Sequence, residues 1–307
     1  MVDLKIKLPK GFLNEEVRNG YKVSHEMKKV WAVELDLLSE FQRVCKKHNI
    51  KYIASGGTML GAVRHKGFIP WDDDIDVMME RDDYNKLSVV ATEEFKHPYF
   101  FQTKYTDPCC ADSIAKLRNS NTTALLDMEH NSKMLYNRGI FIDIFVLDNI
   151  PDSDEDLQFF YHKINEQKQQ VYKVGRCLGI FSDSKKPMEK YVKNFLHHLL
   201  AKKRAKNMSK FLDEYSKFEK VCQSYNYQKT DRFSLLQFGT APINIRCKED
   251  FKETVLMDFE FLKIPVGANY DHALRFHFGE NYMDFIKGTS MHSEIFFDTE
   301  KSYKSYI

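Results

Sequence analysis

The spacing of hydrophobic positions along the chain predicts its main elements. From Val23 to Asn49 apolar residues recur every three or four positions, the period of a helix with one buried face. Helical spacing returns over residues 82–95. Short β-branched and aromatic runs predict strands at residues 51–55, 99–105, 114–118 and 140–147. We therefore expect an α+β fold, with a mixed β-sheet flanked by helices.

The pattern changes after residue 150 and changes again near residue 231. Residues 152–230 are rich in Lys and Gln, with helical periodicity and few strand signals. Strand signals return at Phe233–Phe238, and Phe259–Val266 alternates as one strand would. This predicts a catalytic core at 1–150, a helical insert at 151–230 and a C-terminal segment at 231–307 that completes the core and the cleft.

One helix of the insert is strongly basic. Residues 185–206 hold eight Lys or Arg against one Glu, beside a stripe of Val, Phe and Leu. Such a helix can lie on an anionic membrane, or it can pack on the core with a solvated basic face. We favour the second interpretation.

Composition narrows the location and the partners. A net charge of +2 argues against nucleic acid as a partner. No secretory signal spans Met1–Lys10, and no apolar run reaches the roughly 18–20 residues of a membrane span. Six cysteines without a Cys-x-x-Cys pair indicate free thiols in a reducing compartment. These features predict a cytoplasmic protein, peripheral at the inner membrane face if residues 185–206 contact lipid.

The run from Gly56 to Asp76 carries the densest chemistry of the chain. Its glycine turn leads into a helix, a place where backbone N–H groups bind phosphate. The turn offers Gly56, Gly57 and Thr58, and the far end of the helix offers Arg64, His65 and Lys66. Those basic residues are candidates for phosphate recognition. The alternative is that they are cations favoured by the C-terminal end of a helix.

Carboxylates follow the helix. Asp74 and Asp76 flank Ile75 at the start of an apolar strand, so both should point to one face. Two carboxylates so close together repel each other unless a cation or a proton neutralises the charge. Their hard oxygens favour Mg²⁺ or Mn²⁺, and two such ions about 3.5–4 Å apart suit phosphoryl transfer. The alternative is an acidic surface turn.

The stretch Gly56–Asp76 resembles the signature of the LicD family, whose relatives include fukutin-type proteins of the nucleotidyltransferase-fold superfamily. The stretch Gly139–Asp148 resembles the second motif of that family. The resemblance implies a nucleotidyltransferase-like sheet and makes Asp143 the third metal ligand, since a carboxylate in a buried strand must be paired or coordinated. The alternative is a strand-end residue with a local partner. Asp148 is expected to be a turn residue before Pro151.

Weaker similarities continue towards the C-terminus. Lys116 and Arg118 resemble a Lys-x-Arg strand of the family and share a face, where both would meet the donor diphosphate. Residues Tyr270–Met283 resemble the closing stretch of the family. His292 stands where a late family histidine occurs, although a lone histidine is more often structural.

The resemblance implies transfer of phosphocholine from CDP-choline to a sugar hydroxyl of a surface glycan or lipid-linked oligosaccharide, such as lipopolysaccharide or teichoic acid. Trp71 would bind the choline headgroup through its aromatic face, or would anchor the metal loop in the core. Three alternatives stay open: a ribitol, ethanolamine or glycerol donor; a non-catalytic binding protein that kept the fold; and nucleotidyl transfer to an aminoglycoside or nucleic acid.

Overall fold

The computed structural model describes residues 1–110, 112–126, 134–180, 201–287 and 295–306, with backbone alone for 201–206. The chain opens with a hairpin that the hydrophobic pattern did not predict, formed by β1 (Glu16–Arg18) and β2 (Tyr21–Val23). Its turn is Asn19-Gly20, both at positive φ, the usual two-residue turn between twisted strands. Helix α1 (His25–Lys47) follows and begins where the Ser24 side chain accepts a hydrogen bond from the Met27 N–H.

The core continues with alternating strands and helices. These are β3 (Ile53–Ala54), α2 (Gly56–His65), β4 (Asp76–Glu80), α3 (Arg81–Glu94), β5 (Tyr99–Gln102), β6 (Ala115–Asn119), β7 (Thr123–Leu126) and β8 (Ile140–Asn149). The strand predicted at 99–105 ends early, because Thr103 and Thr106 form a hydrogen-bonded turn there.

Strands β4 and β8 are the parallel centre of a mixed sheet. On its other edge β4 pairs with β3, antiparallel. The outer edge of β8 pairs antiparallel with β6 along its first half and with β9 (Arg232–Ser234) at its end. Beyond these lie β5, paired with β6, and β10 (Ile245–Cys247), paired with β9. Within the described ranges the sheet has seven strands, and it confirms the α+β prediction.

Two long helices follow β8 and form a second apolar cluster. Helices α4 (Asp154–Leu178) and α5 (Ala201–Cys222) pack through Ile164, Phe211 and Phe218. Most of the basic helix predicted at 185–206 lies outside the described residues. No helix in the described ranges is long and apolar enough to span a membrane. The division at residues 150 and 230 stays a prediction.

Asp148 is not the turn residue that the sequence suggested. It is fully buried at the end of β8, where both carboxylate oxygens accept from the Arg81 guanidinium at 2.8 and 2.6 Å. Arg81 also reaches Glu219 of α5 at 3.3 Å. This buried network therefore joins the sheet to the helical pair.

The C-terminal part returns to the main core as a hairpin. The strand predicted at Phe259–Val266 corresponds to β12 (Leu262–Gly267), which begins three residues later than predicted. Its antiparallel partner β11 (Thr254–Phe259) was not predicted, and a turn at Glu260 joins the two. The strand predicted at Phe233–Phe238 is likewise reduced to β9. Helix α6 (Tyr270–Phe278) follows, and β13 (Ile295–Asp298) pairs with β7.

Candidate active site

A row of charged side chains crosses the centre of the sheet. Asp76, at the start of β4, lies opposite Asp143 of β8, and Asp143 lies opposite Lys116 of β6. The Lys116 ammonium forms an ion pair with the Asp143 carboxylate and another with Asp112 at 3.2 Å. It also lies 4.0 Å from the centre of the Phe141 ring. The sheet thus brings two predicted metal ligands together and gives one of them a cation.

The loop before β4 gathers further carboxylates. One oxygen from each of Asp72, Asp73 and Asp74 lies within 4.8 Å of the others, close enough to share one metal ion. The loop is fixed at both ends. The Trp31 indole N–H donates to the Asp72 carbonyl at 2.9 Å, and the Asp76 N–H donates to the Thr58 hydroxyl at 2.8 Å. Because these contacts are short and internal, the carboxylates are held in a defined position.

Glycine is required where helix α2 meets this loop. A Cβ on Gly57 would lie 2.7 Å from an Asp72 carboxylate oxygen. Gly56 has φ +50°, and a Cβ there would lie 3.4 Å from an Asp76 oxygen. The carboxylates therefore sit against the N-terminal end of α2, whose unpaired N–H groups favour negative charge.

The acidic site carries more negative charge than its surroundings balance. Burial raises the pKa of Asp76 well above its ordinary value, and repulsion from Asp74, Asp143 and Asp72 adds to that. Burial also raises the pKa of Asp143, although Lys116 opposes this. Burial lowers the pKa of Lys116, but the Asp143 and Asp112 charges outweigh it and leave that pKa raised. An oxygen-rich, electron-rich cluster of this kind fits Mg²⁺ or Mn²⁺.

Sequence reasoning missed Glu34 on α1. It is 1% exposed, and burial together with the charges of Asp74, Asp73, Asp72 and Asp76 raises its pKa well above the ordinary value. Its Oε2 atom has no hydrogen-bond partner among the described residues. A signal was present, because position 34 falls seven residues from both Met27 and Phe41 on the apolar stripe of α1.

The three basic residues at the end of α2 differ in their contacts and exposure. Arg64 lies seven positions after Gly57, about 10 Å along the helix, and donates to the carbonyls of Tyr282 and Asp284 at 2.7 Å each. Burial, helped by Arg64 and Arg18, lowers the pKa of His65 to about 4, so the ring is neutral at pH 7. Lys66 is exposed and ends the helix with φ +56°.

Arg118 and His292 were also predicted to bind phosphate. The Arg118 guanidinium is buried, donating to Gln102 at 2.5 Å and to the Gly139 carbonyl at 2.7 Å. It shares a face with Lys116, as predicted, but its donors are used internally. His292 lies outside the described residues.

Trp71, directly before the acidic loop, is half-buried among aromatic rings. Its ring centre lies 5.9 Å from that of Tyr21 and 6.5 Å from that of His65. Trp31, in contrast, is fully buried and stacks on Phe68 at 4.5 Å. Trp31 therefore anchors the loop, and Trp71 packs against the edge of the same core, so both roles considered for Trp71 stay predictions.

Residues from both ends of the chain clamp the turn that precedes this loop. The Glu260 carboxylate accepts from the Phe68 N–H at 3.1 Å and from Arg18 at 2.6 Å. Arg18 also donates to the Phe68 carbonyl, and the Glu260 N–H donates to the Lys66 carbonyl at 2.7 Å. We call these four residues the turn clamp.

The mixed sheet and its carboxylates beside a helix N-terminus define a nucleotidyltransferase-type fold with an acidic site. Residues 49–170 match the model of the LicD/FKTN/FKRP nucleotidyltransferase domain. Over 82% of this chain and 88% of the relative, the sequence is 28% identical to the lipopolysaccharide cholinephosphotransferase LicD of Haemophilus influenzae. An uncharacterized protein of Rickettsia prowazekii is 32% identical over 53% of each chain. The chain therefore contains a LicD-type nucleotidyltransferase domain, and it is a transferase.

Proposed function

We propose that this transferase moves phosphocholine from CDP-choline to a sugar hydroxyl of a cell-surface glycan or glycolipid precursor, with Mg²⁺ or Mn²⁺ as cofactor. The observation that carries the proposal is the similarity to a lipopolysaccharide cholinephosphotransferase along 82% of the chain. The charged row on β4, β8 and β6 supports it, because it supplies ligands for both a metal and a phosphate.

Asp74, Asp76 and Asp143 are the proposed ligands of two metal ions, with Asp72 and Asp73 enlarging the donor set. Bound there, the metal would neutralise phosphoryl oxygens and make the acceptor hydroxyl more acidic. Glu34 lies buried on the α1 side of these carboxylates. The N-terminal N–H groups of α2, from Gly56 to Thr58, would bind donor phosphate.

The reaction forms one bond and breaks one. The acceptor hydroxyl oxygen bonds to the phosphorus that carries choline, and the bond from that phosphorus to CMP breaks. Asp143 is the proposed acceptor of the hydroxyl proton, held in place by Lys116. Lys116 is also the cation best placed for the departing phosphate, whereas Arg64 and Arg118 support nearby loops through backbone carbonyls.

The test is CMP release from CDP-choline, CDP-ethanolamine, CDP-ribitol and CDP-glycerol, with a phosphocholine-free lipopolysaccharide as acceptor. We expect release from CDP-choline that requires Mg²⁺ or Mn²⁺ and is lost in Asp76→Asn. Asp213→Asn, at an exposed position of α5, is the matched control and should behave as wild type.

Each other outcome removes a specific part of the proposal. Release from another donor alone would refute choline and keep the chemistry. Turnover that persists in chelator would refute the metal, and an active Asp76→Asn variant would refute the site.

A further inference from the structure

Aromatic side chains from distant parts of the chain meet beside the acidic loop. Tyr21, from the N-terminal hairpin, lies 5.9 Å from Trp71 with the ring planes at 69°. His65, at the end of α2, lies 6.5 Å from Trp71 at 79° and 5.3 Å from Phe285. Rings that meet near right angles about 6 Å apart form a corner in which one cation can face two rings.

Two protein cations already lie over rings of this group. The Lys287 ammonium lies 5.1 Å from the centre of the Tyr21 ring, and the Arg64 guanidinium lies 5.7 Å from that of Phe285. The faces of these rings therefore attract positive charge through their quadrupoles, and a ligand cation at Tyr21 would displace the Lys287 ammonium.

The group lies at the edge of the main core. Tyr21 and Trp71 are half-buried and pack against that core, whereas Phe285 is 57% exposed. The neighbouring ring of His65 is neutral at pH 7 because its pKa is lowered to about 4 by burial and by the Arg64 and Arg18 charges, so it does not repel a cation. Trp71 directly precedes Asp72 to Asp74 in the chain, and the carboxylates of those residues provide a negative potential.

We propose that the corner formed by Tyr21 and Trp71 binds the trimethylammonium group of choline, which makes these two residues specificity-determining residues of the transferase. The inference rests on the proposed function for its substrate. It goes beyond that function in naming a headgroup site in which Tyr21 of the N-terminal hairpin, outside the matched domain of residues 49–170, meets Trp71 inside it. Trp71 adjoins Asp72 in the chain, so a headgroup on its ring leaves the attached phosphate beside the carboxylates.

The experiment uses tryptophan fluorescence of the full chain with Mg²⁺ present. The chain has two tryptophans, and Trp31 is fully buried, so a ligand that contacts the corner should change the emission of Trp71. Phosphocholine is the probe, and 3,3-dimethylbutyl phosphate, its neutral isostere, is the matched ligand control. We expect phosphocholine to bind about five- to thirtyfold more tightly than the isostere.

Variants separate the ring from the rest of the fold. Tyr21→Leu should weaken phosphocholine binding about fivefold or more and leave the isostere unchanged, whereas Tyr21→Phe, which keeps the ring, should bind within about twofold of wild type. Tyr227→Leu, at a ring that is 96% exposed elsewhere, is the control and should have no effect. Thermal unfolding of each variant shows whether it is folded.

The outcomes distinguish this site from the proposed function. If the wild type releases CMP from CDP-choline but binds the isostere as tightly as phosphocholine, or Tyr21→Leu binds as wild type does, the site is refuted and the function stands. If phosphocholine is preferred and the preference depends on Tyr21, but no CMP is released from CDP-choline, the site stands and the function is refuted.

Discussion

Replacing Gly57 by alanine should disturb the acidic site without unfolding the protein. The new Cβ would lie 2.7 Å from an Asp72 oxygen, whereas ordinary contact begins at 3.4 Å, so the carboxylate must move by about 0.7 Å. The fold itself should tolerate the change, because alanine favours a helix over glycine by about 1 kcal/mol and the displaced atom ends a flexible side chain. Displacement of a metal ligand by this amount should weaken metal binding about 10- to 100-fold.

The assay is Mn²⁺ binding, followed by the electron paramagnetic resonance signal of the free ion, with urea unfolding of the same sample. Gly239→Ala is the matched control, since a Cβ there meets its nearest atom at an ordinary 3.5 Å. We expect the Gly57→Ala protein to unfold within about 1 kcal/mol of wild type and to bind Mn²⁺ at least about tenfold more weakly.

Two results would refute the reasoning. Wild-type Mn²⁺ affinity in Gly57→Ala would mean that the position of Asp72 does not matter to the metal. A loss of more than about 3 kcal/mol of stability would mean that Gly57 is required for packing and not for the site.

Two further predictions concern stability. Asp148→Asn should lower the free energy of unfolding by about 3 kcal/mol, because it removes the closer of the two carboxylates that pair with the buried Arg81 and leaves only Glu219 at 3.3 Å. Urea unfolding that shows a loss below about 1 kcal/mol would contradict this, and adding Arg81→Met should recover part of the loss. Burial, with the Arg246 charge, lowers the pKa of His277 to about 4 against 6.5 unfolded, so the associated stability is present above pH 6.5 and disappears as pH falls towards 4. Wild type should thus lose on the order of 2 kcal/mol more than His277→Gln between pH 7 and 4, and parallel pH profiles of thermal unfolding would contradict the assignment.

Local sequence patterns were enough to predict helices and strands whose buried face follows a regular period. The stripe of α1 predicted its limits within two residues, and the Asp-x-Asp run placed Asp76 at the start of a buried strand. Both features are written in consecutive residues, because helix and strand periods are local. The Asn19-Gly20 turn is also a local signal, and it marks the N-terminal hairpin, which the hydrophobic pattern did not predict.

Features that depend on distant partners were not predictable. The strand predicted at Phe259–Val266 runs across the reversal at Glu260, because a local pattern does not show where a strand turns back to pair with its neighbour. Asp148 was taken for a turn residue because its partner, Arg81, is 67 positions away. The opposition of Asp76 and Asp143 similarly requires the register of β4 against β8, which only the folded sheet defines.

The types of residue in the candidate site were easier to predict from the sequence than their contacts were. The acidic run follows from residue type and Asp143 from the family resemblance, whereas the internal bonding of Arg118 and the neutral state of His65 depend on burial. Glu34 was not predicted as a site residue, because it is a charged residue at a position of α1 where the periodic pattern predicts an apolar core residue.

The turn clamp has a consequence for the order of synthesis. A ribosome that has completed the acidic loop must add most of the remaining chain before Glu260 emerges, 192 positions after Phe68. Until then the nascent chain has Arg18 but no carboxylate to hold the turn with it. The acidic loop is therefore synthesised early, whereas the turn before it gains its last contacts late. A chain released before residue 260 would keep the Trp31 and Thr58 contacts of the loop but lack the Glu260 contacts of the turn.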